Sequence, residues 1–275
     1  VSAIFRPNQL FFKSYGGFYR KMLFCFDHIF VQNQASQQLL ARVGCTSVTL
    51  AGDTRLDRVA QIAQQARPLP EIAAFKGNDP LLVVGSAWPD DMERLIPFLN
   101  RWAHPLKVLI APHEINPAQI EIWRKQLRDS VLFTESASRR SEADKKQLPP
   151  NLKNPNVMFL DTVGMLAATY QYADFVYIGG AFGDGLHNIL EPAAFGMPLF
   201  FGKPHYDKFQ EAHDLLALGA ATSVGTAHEL EEVFVKVYQQ LDERQRQAAI
   251  CRAYIQHHLG ATEKVLRAVR EDFCI

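Results

Sequence analysis

The chain has 275 residues, 48% of them hydrophobic and 21% charged, with 29 Lys and Arg against 29 Asp and Glu. That length exceeds one ordinary domain core and predicts two lobes or one large α/β unit, stable without metal or cross-link. The zero net charge argues against a general nucleic-acid binder, and no apolar run approaches the ~18 residues of a membrane span. No signal-peptide pattern opens the chain. Cys25, Cys45, Cys251 and Cys274 are too few and too scattered for a disulfide framework, which predicts reduced thiols.

The first element is basic and aromatic. Arg6, Lys13, Arg20, Lys21, Arg42, Arg55 and Arg58 face only Asp27, Asp53 and Asp57 in residues 1–58, and Phe11, Phe12, Tyr15, Phe18, Tyr19, Phe24, Phe26 and Phe30 crowd between Leu10 and Phe30. Aromatics interleaved with cations suit an interface with anionic lipid headgroups. Spacing favours a plainer alternative, a core helix whose cationic side chains snorkel to water. The opening Val1-Ser2-Ala3-Ile4-Phe5 reads as though entered partway through a strand, and a fragment is the expectation.

Short apolar runs then follow at Ile29–Val31, Val48–Ala51, Leu81–Val84, Val108–Ala111, Val131–Phe133, Val157–Leu160, Phe175–Ile178, Leu199–Phe201 and Ala221–Val224. Helical stretches separate most of them, among them Ser36–Val43, Arg55–Gln65, Asp90–Trp102, Pro117–Leu127 and Gly164–Tyr172. Unbroken apolar runs alternating with helices predict right-handed βαβ units around a parallel sheet covered on both faces. Ala137–Pro155 is the most polar stretch and reads as an exposed loop. From His228 onward the chain reads as helix to its end, with one break near His258–Gly260.

Parallel sheets bind ligands beyond the carboxyl ends of their strands, and four strand ends here carry unusual residues. Gly85-Ser86-Ala87-Trp88-Pro89-Asp90 offers close backbone approach and a hydroxyl, with Asp90 placed to cap the next helix. Pro112-His113 puts an imidazole just past a buried strand, where it can donate to a phosphate. Asp161 or Thr162 is placed to cap a helix and leave the Val163, Gly164 and Met165 amides free. The fourth end, Gly179 to Pro192, holds four glycines in seven residues, then His187 and Asn188 as side-chain donors and Glu191 as an acceptor for a vicinal diol. Turns, caps and loop histidines explain each of the first three without a ligand.

No Gly-Lys-Ser/Thr ends the glycine loop and no G-x-G-x-x-G is present, so the common ATP and NAD motifs are missing. Neither a Gly-x-Ser-x-Gly elbow nor a metal-ligand spacing among the nine histidines appears. What remains is a site that holds a phosphate with loops and helix termini, without metal.

Gly52-Asp53-Thr54-Arg55-Leu56-Asp57-Arg58-Val59, Gly85-Ser86-Ala87-Trp88-Pro89, Ala111-Pro112-His113-Glu114, Asp161-Thr162-Val163-Gly164-Met165 and Gly179-Gly180 through His187-Asn188-Ile189-Leu190-Glu191-Pro192 occur in that order. The ordered set resembles the bacterial 3-deoxy-D-manno-oct-2-ulosonic acid (Kdo) transferases, from about Phe5 to Thr262. The resemblance implies an α/β fold of the GT-B glycosyltransferase type: a partial N-terminal acceptor lobe over 1–52, a Rossmann-like nucleotide-sugar domain over 53–258, and a crossing helix over 259–275. It implies inverting, cofactor-free and metal-free transfer of Kdo from CMP-Kdo to the lipid A precursor, lipid IV-A, in lipopolysaccharide synthesis at the cytoplasmic face of the inner membrane. The contacts it carries over are Pro112, His113, Val163, Gly164, Met165, Asn188, Ile189, Leu190 and Glu191, with Ser86 added by its position. The family's catalytic glutamate and membrane anchor have no counterpart here, so weak binding of CMP without turnover is expected. Another GT-B enzyme using a UDP-sugar, or a non-catalytic two-lobed binding module, are the alternatives.

Overall fold

The structure is a computed structural model that describes residues 1–127, 129–138 and 155–273. Two compact units emerge: Val1–Gln61 joined by the chain from Ile255 onward, and Ile62–Tyr254. The divisions fall inside helices Thr54–Gln64 and Leu241–His257. The expected loop over Ala137–Pro155 lies almost wholly outside the described residues.

In the first unit, β1 (Ile29–Val31) and β2 (Val48–Leu50) pair in parallel, joined through helix Gln34–Arg42. That helix starts where Asn33 Oδ1 accepts from the Ser36 amide at 2.9 Å, one of the orphan donors of a first turn. Leu23, Ile29, Val31, Leu40 and Cys45 form its core. The last helix, Ala261–Phe273, sets Val265 against Phe30 and Ala51, while Leu266 stays half exposed. Asp57 holds that helix by its start, accepting from Gly260 N at 2.7 Å and Thr262 N at 2.6 Å.

The basic, aromatic opening is not a core helix. It breaks into a turn at Leu10–Phe12, a short helix at Gly17–Leu23 and the strand at Ile29, so its rings never share one face. Phe11 and Phe12 pack on Phe5, whereas Tyr15 and Phe18 are each 74% exposed and Phe24, Phe26 and Met22 also face water.

The second unit is built on β3 (Leu81–Ala87), β4 (Lys107–Pro112), β5 (Ser130–Leu132), β6 (Val157–Phe159), β7 (Phe175–Ile178), β8 (Leu199–Gly202) and β9 (Ala221–Val224). Among the described residues these make one seven-stranded sheet, order β5-β6-β4-β3-β7-β8-β9, with every pairing parallel. The α/β class and the parallel sheet flanked by helices are therefore as the sequence implies. Successive side chains alternate between faces. Leu82, Val84, Val108, Ile110, Phe175 and Tyr177 accordingly pack with Phe98, Trp123 and Phe234 from the covering helices.

Local differences are instructive. Helices Pro70–Lys76 and Phe133–Ser138 are too short to show a period. The tail holds three helices, with an added break at Gln240. Cys25, Cys45 and Cys251 are free thiols.

Candidate functional site

Because every pairing is parallel, the loops that leave β6, β4, β3 and β7 reach the same edge from four adjacent strands. At about 4.8 Å per strand they span roughly 15 Å, the length of a nucleotide. The chain leaves β3 for β4 on one side and enters β7 on the other, and such a reversal of strand order opens a crevice where neighbouring loops diverge. The four strand ends singled out in the sequence are these four loops.

The loop after β3 is held in an unusual backbone state. Ser86 has φ of +52°, a left-handed conformation costing about 1 kcal/mol for a residue with a Cβ. A methyl at Gly85 would collide with the Tyr170 hydroxyl. Helix Pro89–Arg101 follows, and its cap is not Asp90: the carboxylate that accepts from the Trp88 amide, at 3.1 Å, belongs to Asp91. Proline occupies the first helical position, so the reciprocal acceptor falls two residues later.

Asp91 also binds the loop of the next strand. Its carboxylate accepts from Gly180 N at 2.8 Å and from the Tyr177 hydroxyl at 3.0 Å. The side chain is fully buried; burial pushes its carboxyl above the ordinary range, against the pull of its three donors. A Cβ at Gly179 would run into the Ser86 carbonyl and this carboxylate, and Gly180 sits at φ +94°. The glycines therefore admit close packing of two loops. The loop then folds back on itself through Gly183 N and Gly185 N to Gly180 O and His187 N to Gly179 O.

That return delivers His187 to Trp88. The indole Nε1–H donates to His187 Nε2 at 2.7 Å, and the two rings are within 13° of parallel. His113, from the loop after β4, stacks on both, 4.3 Å from Trp88 and 4.4 Å from His187 between ring centroids. Burial and the neighbouring His113 hold His187 below the usual histidine value.

Asn188 is exposed, and its side chain bridges the residues that follow: Oδ1 accepts from Leu190 N at 3.0 Å and Nδ2 donates to Glu191 Oε1 at 3.1 Å. Glu191 is half-buried at the start of helix Leu190–Phe195. The Ile189 and Leu190 side chains are buried, leaving them only backbone atoms to offer. Pro112 is half-buried and His113 exposed.

The loop after β6 departs from expectation. The helix there begins only at Leu166 and has no side-chain cap. Asp161 turns instead to Thr134, accepting from its amide at 3.0 Å and from its hydroxyl, while Thr162 meets Met165 Sδ at 3.0 Å. Val163 and Gly164 are exposed and Met165 half-buried. Asp161 was out of reach of the sequence because the turn that claims it lies 27 residues away.

Trp88, Asp91, Tyr177 and His187 complete the site. Only His187 carried a signal, as a donor beside Asn188; a buried acid three residues into a helix and a tryptophan before a proline read as ordinary helix-start chemistry.

No protein-family profile matches the chain. The 3-deoxy-D-manno-octulosonic acid transferase of Chlamydophila psittaci is 33% identical over 143 residues, 51% of this chain and 30% of that protein. The protein of the same name from Bordetella pertussis is 26% identical over 260 residues, 92% of this chain and 58% of its own length. The chain thus spans about half the length of the curated relatives it matches. Among solved structures, the C-terminal CMP-Kdo binding domain of WaaA from Acinetobacter baumannii aligns with a TM-score of 0.53 and 18% identity, covering 74% of this chain and 98% of that domain. At that identity the likeness is one of fold. The chain is a relative of the Kdo transferases and has a fold of the GT-B type, as its ordered motifs indicate.

Proposed function

We propose that this chain, a relative of the Kdo transferases, binds the CMP portion of CMP-Kdo at the β6-β4-β3-β7 edge, and that the protein transfers Kdo to a lipid A precursor, lipid IV-A, with inversion. The observation that carries this reading is the convergence of four separate sequence motifs on four neighbouring strand ends. In this reading Pro112 and the Val163–Met165 loop meet the base, Glu191 takes the ribose hydroxyls, and Ser86, His113 and Asn188 hold the phosphate as charge grows on it. Donors fixed before the reaction stabilise developing charge without reorganising, and the Asp91 bonds to Gly180 and Trp88 fix these loops.

Asp91 accepts three hydrogen bonds in a sealed place, so it is not the base that deprotonates an acceptor hydroxyl. Glu191 is assigned to the ribose. We therefore place that base outside the residues of this edge and expect the 275 residues alone to bind donor without transferring Kdo. The reaction is proposed to need no metal; transfer by a protein of the relatives' full length should then survive chelation by EDTA.

The exposed Tyr15, Phe18, Met22, Phe24 and Phe26 lie among Lys13, Arg20 and Lys21. Rings in the headgroup layer with cations near anionic lipid are the chemistry of an interfacial contact. This supports work at the cytoplasmic face of the inner membrane, and sedimentation with phosphatidylglycerol vesicles, but not phosphatidylcholine vesicles, is the expected result.

Thermal shift separates the donor classes, since a ligand of the native state raises the midpoint by mass action. CMP should raise it more than UDP or UDP-N-acetylglucosamine. A preference for the uridine ligands would favour another GT-B enzyme, and no response to any would favour a non-catalytic module.

A further inference from the structure

The Trp88–His187 contact determines more than the position of two rings. An indole N–H is only a donor, so the nitrogen it meets must carry a lone pair. His187 Nε2 is that nitrogen, at 2.7 Å. A protonated imidazole has hydrogen on both nitrogens, so the bond exists only for neutral His187 with its proton on Nδ1. No described residue accepts from Nδ1, and the atom is not sealed from solvent. With 6.0 Å between centroids and 13° between planes, indole and imidazole meet edge to edge and form one flat surface. His113 lies across the seam, and neither of its ring nitrogens has a partner among the described residues.

We propose that Trp88 is a positioning residue that locks His187 as its neutral Nδ1–H tautomer, so that His187 gives an uncharged donor to an anionic oxygen of the ligand. The ligand half of this proposal rests on the nucleotide reading above. Two imidazoles 4.4 Å apart repel when both are charged, and the indole bond keeps His187 neutral. Ionisable groups that meet the His187 loop include Asp91, bonded to the Gly180 amide, Asp90, facing Gly183, and Arg94, over the Phe182 ring. Glu191 is held by Asn188, and His205 gives its carbonyl to Leu186 N. A ligand atom at Nδ1 must then be an acceptor: a phosphate or carboxylate oxygen fits, an amine does not.

Nitrogen-edited imidazole NMR of the 275-residue chain reads the lock directly, without ligand. His187 should show a protonated Nδ1 and a bare Nε2, and should keep that pattern on acidification through the ordinary histidine value near pH 6.5. Trp88→Phe keeps a ring but removes the N–H. It should give His187 a mixed tautomer and weaken CMP binding about threefold to tenfold, with cytidine binding unchanged. A protonated Nε2 in the unaltered chain, or a second proton gained by His187 at the ordinary histidine value, would overturn the lock even if Trp88→Phe failed to fold. Equal losses for CMP and cytidine would overturn the assignment of His187 to the anion. The expected tautomer with no binding of CMP or inorganic phosphate would support the lock while refuting both the donor role and the nucleotide reading.

Discussion

The loops after β7 and β6 lie on the same edge of the sheet but are held in opposite ways. The β7 loop is fastened from outside itself: Asp91 accepts from its Gly180 amide, Trp88 donates to His187, and Gly179 packs against the Ser86 carbonyl. The β6 loop is fastened at its start, where Asp161 accepts from Thr134, and among the described residues not at its tip. Beyond that point Val163 is 88% exposed and a Cβ at Gly164 would meet nothing within 4 Å. One side of the crevice is thus built in advance, whereas the other is set mainly by its own backbone and is the side a ligand can order.

The largest expected effect comes from removing the fastening. Asp91→Ala leaves two amides and a buried phenol without an acceptor, at about 1–3 kcal/mol each, so urea unfolding should show a loss of about 4 kcal/mol. Asp91→Asn should cost much less. Its carbonyl can serve both amides, and its NH2 can donate to a Tyr177 hydroxyl that turns round. A loss as large for Asn as for Ala would mean that charge, not connection, holds the loop.

A pair of glycine substitutions tests the contrast itself. Gly179→Ala drives a methyl into backbone and carboxylate, and the upper end of overpacking costs, about 3 kcal/mol, is expected. Gly164→Ala, at φ +82° in open space, should cost only the left-handed strain of about 1 kcal/mol. Equal effects in thermal or urea unfolding would show that the two loops do not differ as described.

Asp57 repeats the device of Asp91 in the first unit, one carboxylate on two amides from far along the chain. Burial raises its carboxyl, but the Gly260 and Thr262 bonds and Lys264 outweigh that and hold it below the ordinary range. An unfolded Asp near 3.9 protonates first as pH falls. Its contribution is therefore present above about pH 4 and lost as pH drops through the lower folded value. Asp57→Ala should cost about 1–2 kcal/mol at neutral pH, the scale of a lost helix cap, and its acid unfolding should be shallower than that of the unaltered chain.

The contrast also explains what could be read from the letters alone. Among the described residues all nine strands stand where apolar runs such as Leu81–Val84 and Phe175–Ile178 place them, since burial on both faces leaves an uninterrupted signature. The four loops were legible because glycine, proline and histidine are conspicuous just beyond such runs. Partnerships between distant residues were not. Asp91 with Gly180 spans 89 residues and Trp88 with His187 spans 99, and no local period encodes either. Caps failed for the same reason: Asp161, Asp90 and Asp91 are alike in sequence, and only the fold decides which meets an amide. The exposed rings at Phe18 and Phe24 were misread because composition was taken for a single helix face.

The smallest effect expected is a pH slope, and it separates the fastened loop from a merely packed one. His187 lies below the ordinary histidine value, first through burial and then through His113. The unfolded chain therefore gains a proton near pH 6.5 while the folded chain does not. Stability should fall as pH drops from about 6.5 to the folded value and level off below it, because the unfolded state binds more protons across that window. His187→Gln has no proton to gain, so unfolding measured across the window should lose this share of the slope and keep the remainder. An unchanged slope would mean that His187 charges as readily in the folded chain as in the unfolded one. The indole bond could then not be what joins the glycine loop to Trp88, and the fastening of that loop would rest on Asp91 and the Gly179 contact with Ser86.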